Sequence, residues 1–164
     1  MHVLSVSLLS VESLLGAILM KKITDYEALI RHHEGTRAKP YTDTVGKVTV
    51  GVGRNLTDVP LDRDEIDYLY DRDLRRALRV CRDIAPNLWE FTDVRQAVLL
   101  DMAYNLRYKM RGFTKFRDAL KDRDFARAAK EMLDSRWAEQ VGKKPRQRAW
   151  RLARMMERNE WPTV

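Results

Sequence analysis

Residues 34–53 read EGTRAKPYTDTVGKVTVGVG, and a change of period inside this stretch decides the fold. Upstream of it Ile23, Tyr26, Leu29 and Ile30 recur at helical spacing, with Thr24 or Asp25 able to cap the helix and Gly35 placed to end it. Pro40 then breaks the period. From Tyr41 the pattern alternates, Val48, Val50 and Val52 falling on one face and Thr49, Gly51 and Gly53 on the other, with Gly46 marking a hairpin turn. The spacing predicts a helix that leads into a small antiparallel sheet. It also sets Glu34 at the helix end and Asp43 on the hairpin side.

Cleaving a glycosidic bond takes two carboxyl groups in unlike environments, one protonated to donate to the leaving oxygen and one ionised across the sugar. Glu34 and Asp43 supply such a pair. Each also has a plainer reading. A lone Glu at a helix end is as a rule a solvated surface residue, and Thr42-Asp43-Thr44 is good turn chemistry. Gly51 and Gly53 let a strand kink or let another group approach the backbone closely.

Beyond the hairpin, Asp62 followed three residues later by Glu65 has the form of a capping box. Ile66, Leu69, Leu74, Ala77, Leu78 and Cys81 then continue a long helix that should stop before Pro86. Around Val94, Ala97, Val98, Asp101 and Met102 the pattern is apolar almost all round, as in a helix buried within a bundle. Shorter helices are expected at 114–121, 124–134 and 136–141, and Pro145 is placed to open the last helix at its first turn. The fold class is therefore α+β and predominantly helical, with a small hairpin lobe, a long connecting helix and a helical C-terminal lobe. A chain of 164 residues suffices for one such domain, taken as 23–164.

Residues 1–22 stand apart from it. The apolar run 3–20 is interrupted by four serines, Glu12 and Gly16, and Leu4, Leu8, Val11 and Leu15 share one helical face. Two readings stay open, an amphipathic helix docked on the body and a weak membrane segment. A spanning helix needs about 20 predominantly apolar residues and tolerates a central acid poorly. A secretory signal begins with basic residues, whereas Lys21-Lys22 follows the run.

The composition, 45% hydrophobic and 34% charged, is that of a globular chain. Cys81 is the only cysteine, so no internal disulfide can form, and its place on an apolar helical stripe predicts a buried free thiol. His2, His32, His33 and one Cys make no metal site, because His32 and His33 are adjacent and point to different sides of a helix. No metal and no cofactor are expected. The formal charge is +7, and residues 136–158 carry eight Lys or Arg against two Glu. Such a patch attracts nucleic acid, anionic lipid or a phosphate-rich envelope, unless it is simply a solvated helix face. No base-reading pattern accompanies it, so nucleic acid is not expected as a partner. No heptad seam argues for assembly, and a monomer is expected.

The opening stretch resembles the motif of the phage lysozymes. Glu-Gly, Tyr-x-Asp-Thr, Gly46 and Thr-x-Gly-x-Gly stand in that family's order and spacing, and Gly112-Phe113-Thr114, Ser135-Arg136-Trp137 and Arg148-Ala149-Trp150-Arg151 continue the likeness downstream. It spans about residues 23–160. The resemblance implies a lysozyme-like fold and hydrolysis of the β-1,4 bond between N-acetylmuramic acid and N-acetylglucosamine in bacterial peptidoglycan, leading to lysis. It implies that Glu34 is the general acid, and that Asp43 and Thr49 hold the attacking water and stabilise positive charge on the sugar. It implies inversion, for which the two carboxyl groups stand about 6.5 to 9.5 Å apart. Substrate contacts would fall to Asn55, Tyr104, Asn105 and Phe116, the last standing where a relative has a small polar residue, with Arg148 close to the acid. It also implies residence in the host cytoplasm until release to the peptidoglycan layer, and the charge of the basic C-terminal region leads to the expectation that this region meets the anionic envelope. Residues 3–20 are similar to segments that anchor some phage lysins transiently in the membrane.

Departures from the family are Arg54 in place of a common histidine, Arg107-Tyr108 at a turn where glycine is preferred, and a longer connection at 141–144. Two other functions compete. A non-catalytic peptidoglycan-binding protein on the same fold should have lost a carboxylate, and in a basic membrane-disrupting helical protein Glu34 would be irrelevant.

Overall fold

The computed structural model describes residues 26–162, so the expectations for residues 1–22 lie outside it. The chain divides after Arg63 into two compact units. In the first, residues 26–34 are helical (α1), and Gly35 ends the helix by donating its N–H to the Arg31 carbonyl at 3.0 Å. Three antiparallel strands follow, β1 (Arg37–Thr42), β2 (Val48–Gly51) and β3 (Arg54–Asn55), in the order β1-β2-β3.

Two details differ from the sequence pattern. Pro40 lies inside β1 rather than ahead of the sheet. An edge strand tolerates a residue that cannot donate, and the β1–β2 register shifts between Arg37 and Tyr41, the interval that contains Pro40. The third strand is only two residues long, too short to leave an alternating signature. Of the two faces of β2, the one bearing Thr49 is covered, and Val48 is exposed.

The second unit is helical. α2 (Arg63–Ile84) buries Ala77, Val80, Cys81 and Ile84 near its C-terminal end and stops before Pro86, whose ring disfavours helical geometry in the preceding residue. After a 3₁₀ turn at Leu88–Glu90 comes α3 (Asp93–Leu106), which places Val94, Val98, Leu99, Met102 and Ala103 in the core. A second 3₁₀ segment, Arg107–Gly112, leads to α4 (Thr114–Lys121), α5 (Phe125–Leu133), α6 (Arg136–Val141) and α7 (Arg148–Arg158). α7 packs on α3, α5 and α6, and α5 also packs on α4. Phe116, Leu88, Leu99, Met102, Met110, Leu120, Met132 and Met156 are the largest side chains fully enclosed.

The short helices fall where the spacing puts them, and two of their starts have identifiable caps. Asp124 accepts from the Arg127 N–H at 2.9 Å, and Ser135 accepts from the Ala138 N–H at 3.2 Å. Pro145 is a correction: it does not open α7. Lys144 to Gln147 form a turn closed by the Gln147 N–H on the Lys144 carbonyl at 3.0 Å, with Arg146 at φ +69, and the helix begins at Arg148. Proline presets the second residue of such a turn as readily as the first turn of a helix. Cys81 is fully enclosed, and burial pushes its thiol up to about 12.

Candidate active site

Glu34 is the last helical residue of α1, and its exposed side chain lies across the β2–β3 turn. A Cβ built on Gly53 would stand 2.5 Å from Glu34 Oε2 and 3.0 Å from its carboxyl carbon. Gly53 also has φ +69, a conformation that side-chain-bearing residues rarely adopt. The close approach that Gly53 permits is therefore made by the carboxyl group of Glu34. Among described residues Glu34 has no ion-pair partner.

Asp43 sits in the loop between β1 and β2. Its Oδ1 accepts the backbone N–H groups of Lys47 at 2.8 Å and Val45 at 3.0 Å, while Oδ2 accepts the Thr49 hydroxyl at 3.3 Å. The loop is closed by the Asp43 N–H on the Lys47 carbonyl (2.9 Å) and the Gly46 N–H on the Asp43 carbonyl (3.1 Å). The Lys47 N–H above all, with the Val45 N–H, the Thr49 hydroxyl and the Lys47 charge, holds the Asp43 carboxyl below the ordinary aspartate range. Thr49 is 4% exposed and is the one buried polar residue among those described. The turn reading and the chemical reading of Asp43 are thus compatible: one oxygen builds the turn and the other faces Thr49.

Asn55 is committed to its own loop. Its Oδ1 accepts the N–H groups of Thr57 (2.9 Å) and Asp58 (3.2 Å), and its amide donates to Asp58 at 2.9 Å. Arg54, at the position of a common family histidine, donates to the carbonyls of Val59 (3.2 Å) and Pro60 (2.9 Å) and fixes the same loop.

The remaining candidates belong to the helical unit. Tyr104 is exposed, its ring 5.9 Å from that of Tyr70. Asn105 accepts the Trp137 indole N–H at 2.8 Å. Phe116 is enclosed in the core and borders the cavity described below. Arg148 donates to Asp101 through Nε (3.0 Å) and a terminal nitrogen (2.9 Å). Asp101 and Trp137 are partners that pattern reading passed over. Asp101, an acid in the middle of a helix apolar almost all round, was the available signal.

This unit also holds a cavity of about 890 Å³, in which Lys109, Lys115, Lys130 and Arg136 stand with Glu131 and Asp134 around Phe113 and Trp137. Among the described residues no group of three or more His, Cys, Asp or Glu could hold a metal ion, and no helix is long and apolar enough to cross a membrane.

The family model for phage lysozyme matches residues 31–155, a span that includes Glu34, Asp43, Thr49 and Arg148. The chain belongs to the phage lysozyme family. No curated protein matches the chain. As a phage lysozyme family member it is a lysozyme-type glycosidase, and its substrate is peptidoglycan. The α+β fold, mostly helical with a small three-stranded sheet, agrees with that membership.

Proposed function

We propose that this phage lysozyme family member hydrolyses the β-1,4 bond between N-acetylmuramic acid and N-acetylglucosamine, with inversion at the anomeric carbon. The observation that carries this reading is the division of labour at Asp43. Two backbone N–H groups on Oδ1 favour the ionised carboxylate, while Oδ2, beside the buried Thr49 hydroxyl, keeps lone pairs for a water molecule. Glu34, seated over Gly53, donates its proton to the glycosidic oxygen as the bond from the anomeric carbon breaks. Water held by Asp43 and Thr49 adds from the opposite face of the sugar and gives its proton to Asp43. Positive charge that develops on the ring meets the Asp43 carboxylate.

Exposed Tyr104 and Asn105 offer the helical unit's own contacts to the glycan, and the lysines of its large cavity suit the carboxylates of muramyl peptides. Arg148 acts through Asp101, holding α7 to α3. The test is the chemistry of the new ends. Purified peptidoglycan digested to completion should release fragments whose reducing sugar is N-acetylmuramic acid, seen by mass spectrometry after borohydride reduction. Reducing N-acetylglucosamine, or a 1,6-anhydro product, would contradict the assignment.

A further inference from the structure

Lys47 is tied to Asp43 twice across one turn. Its N–H donates to Asp43 Oδ1 at 2.8 Å and its carbonyl accepts the Asp43 N–H at 2.9 Å, so the two residues face each other in the β1–β2 loop. Lys47 also stands two residues before Thr49, and strand alternation puts the two side chains on one face. On that face the Thr49 hydroxyl meets Asp43 Oδ2 at 3.3 Å. A lysine at this place therefore brings an ammonium near the carboxylate to which the proposed chemistry gives the water, and Lys47 is the charged group that acts on Asp43. An ion pair between them would occupy Oδ2.

The ammonium is directed elsewhere. Lys47 Nζ donates to Asp58 Oδ1 at 2.9 Å, and among the described residues no Lys or Arg pairs with Asp43. Asp58 is itself held in place for this contact. Its Oδ2 accepts the Asn55 amide at 2.9 Å and its N–H donates to Asn55 Oδ1 at 3.2 Å, and Asn55 is the register partner of Thr49. Two further bonds fasten this loop to the start of β2: the Val48 N–H donates to the Thr57 hydroxyl oxygen at 2.9 Å, and the Leu56 N–H donates to the Val48 carbonyl at 2.7 Å. Stability does not account for the Lys47–Asp58 pair, since its side chains are 38% and 53% exposed and such pairs add little.

We propose that Asp58 is a positioning residue for the hydrolysis: by holding the Lys47 ammonium it keeps Oδ2 of Asp43 open to the water that attacks the sugar. The proposal rests on the reading of Asp43 as the carboxylate that holds this water. Asp58 acts through Lys47, and the loop that fixes Asp58 is built for the same end.

Kinetics on a soluble peptidoglycan oligosaccharide test this with the full chain. Asp58→Asn keeps the shape of the side chain and removes the charge that holds the ammonium. Its kcat should fall about tenfold with KM within about twofold of the parent, at an unchanged melting temperature. The acid limb of kcat/KM should move to lower pH, because the released ammonium favours ionised Asp43. A loop that had merely come loose would surrender N–H bonds to Asp43 and move that limb to higher pH. The deciding variant is the double one. Lys47→Met added to Asp58→Asn removes the ammonium and should return kcat to within about threefold of the parent, whereas an ion pair needed only for the order of the loop would stay broken and the loss would remain. A loss that persists in the double variant, or an acid limb displaced to higher pH in Asp58→Asn, would overturn the proposal. Asp43→Asn separates this from the reading beneath it. Retained hydrolysis in Asp43→Asn would overturn both, while a severe loss there with parent kinetics in Asp58→Asn would overturn the role of Asp58 alone.

Discussion

The two units are held together by different physics. In the described part of the first, Thr49 is the only buried residue, and order comes from turn hydrogen bonds, an edge-strand proline and glycines in conformations few other residues adopt. In the second lie all the buried apolar side chains among the described residues, from Ala77 to Met156. The unit with the carboxyl pair therefore depends on local geometry, and the helical unit on removal of apolar surface from water. Substitutions in the two should fail in different ways: loss of rate in one, loss of folding in the other.

The largest effect belongs to Glu34. Glu34→Gln keeps the size of the side chain and removes the proton donor, so hydrolysis of purified peptidoglycan should fall by about 10² to 10⁴ at unchanged melting temperature. Hydrolysis near that of the parent chain would detach Glu34 from the chemistry. The converse substitution is Met102→Ala in the core, which should destabilise the protein by about 2 to 5 kcal/mol in denaturant titration. Its activity per folded molecule, measured well below the transition, should be retained.

A pair of glycines sharpens the contrast within the first unit. Gly46 and Gly53 both have positive φ, but a Cβ at Gly46 meets nothing while one at Gly53 strikes the Glu34 carboxyl. Ala at either position should cost about 1 to 3 kcal/mol of local strain. Only Gly53→Ala should also lower the rate, by roughly a hundredfold, because the acid is displaced. Equal rates in the two variants would show that Gly53 matters for the turn alone.

Acid should separate the units as well. Because the Asp43 carboxyl titrates below its ordinary range when folded, its contribution is complete above the unfolded value and is lost as pH falls through the lower folded value. Amide exchange at Val45 and Lys47 should accelerate over that interval while α3 amides stay protected. The smallest effect is expected at Arg107, held at φ +53 at the end of α3. Arg107→Gly relieves that strain and should raise stability by up to about 1 kcal/mol, with the weak 3.5 Å contact to Asp73 a minor loss.

What could be read from the sequence follows the same division. Helix spans in the second unit were legible because apolar periodicity, Asp124, Ser135 and Pro86 mark them locally. Pro145 misled because one residue type suits both a helix start and a tight turn. In the first unit Glu34, Asp43 and Gly46 could be located, but the fit of Glu34 over Gly53 and the sharing of Asp43 between turn and Thr49 depend on three-dimensional approach. The pairs Arg148–Asp101 and Trp137–Asn105 stayed hidden for a related reason: partners 47 and 32 residues apart leave no periodic trace.

The central claim is that Asp43 and Thr49 activate water while Glu34 protonates the leaving oxygen. Its most direct measurement is the anomeric configuration of the first product, followed by NMR at early times on a soluble peptidoglycan oligosaccharide. The α-anomer, inverted from the β-linked substrate, should appear first, before mutarotation sets in. Initial release of the β-anomer would mean that Asp43 attacks the sugar directly, and would contradict that claim.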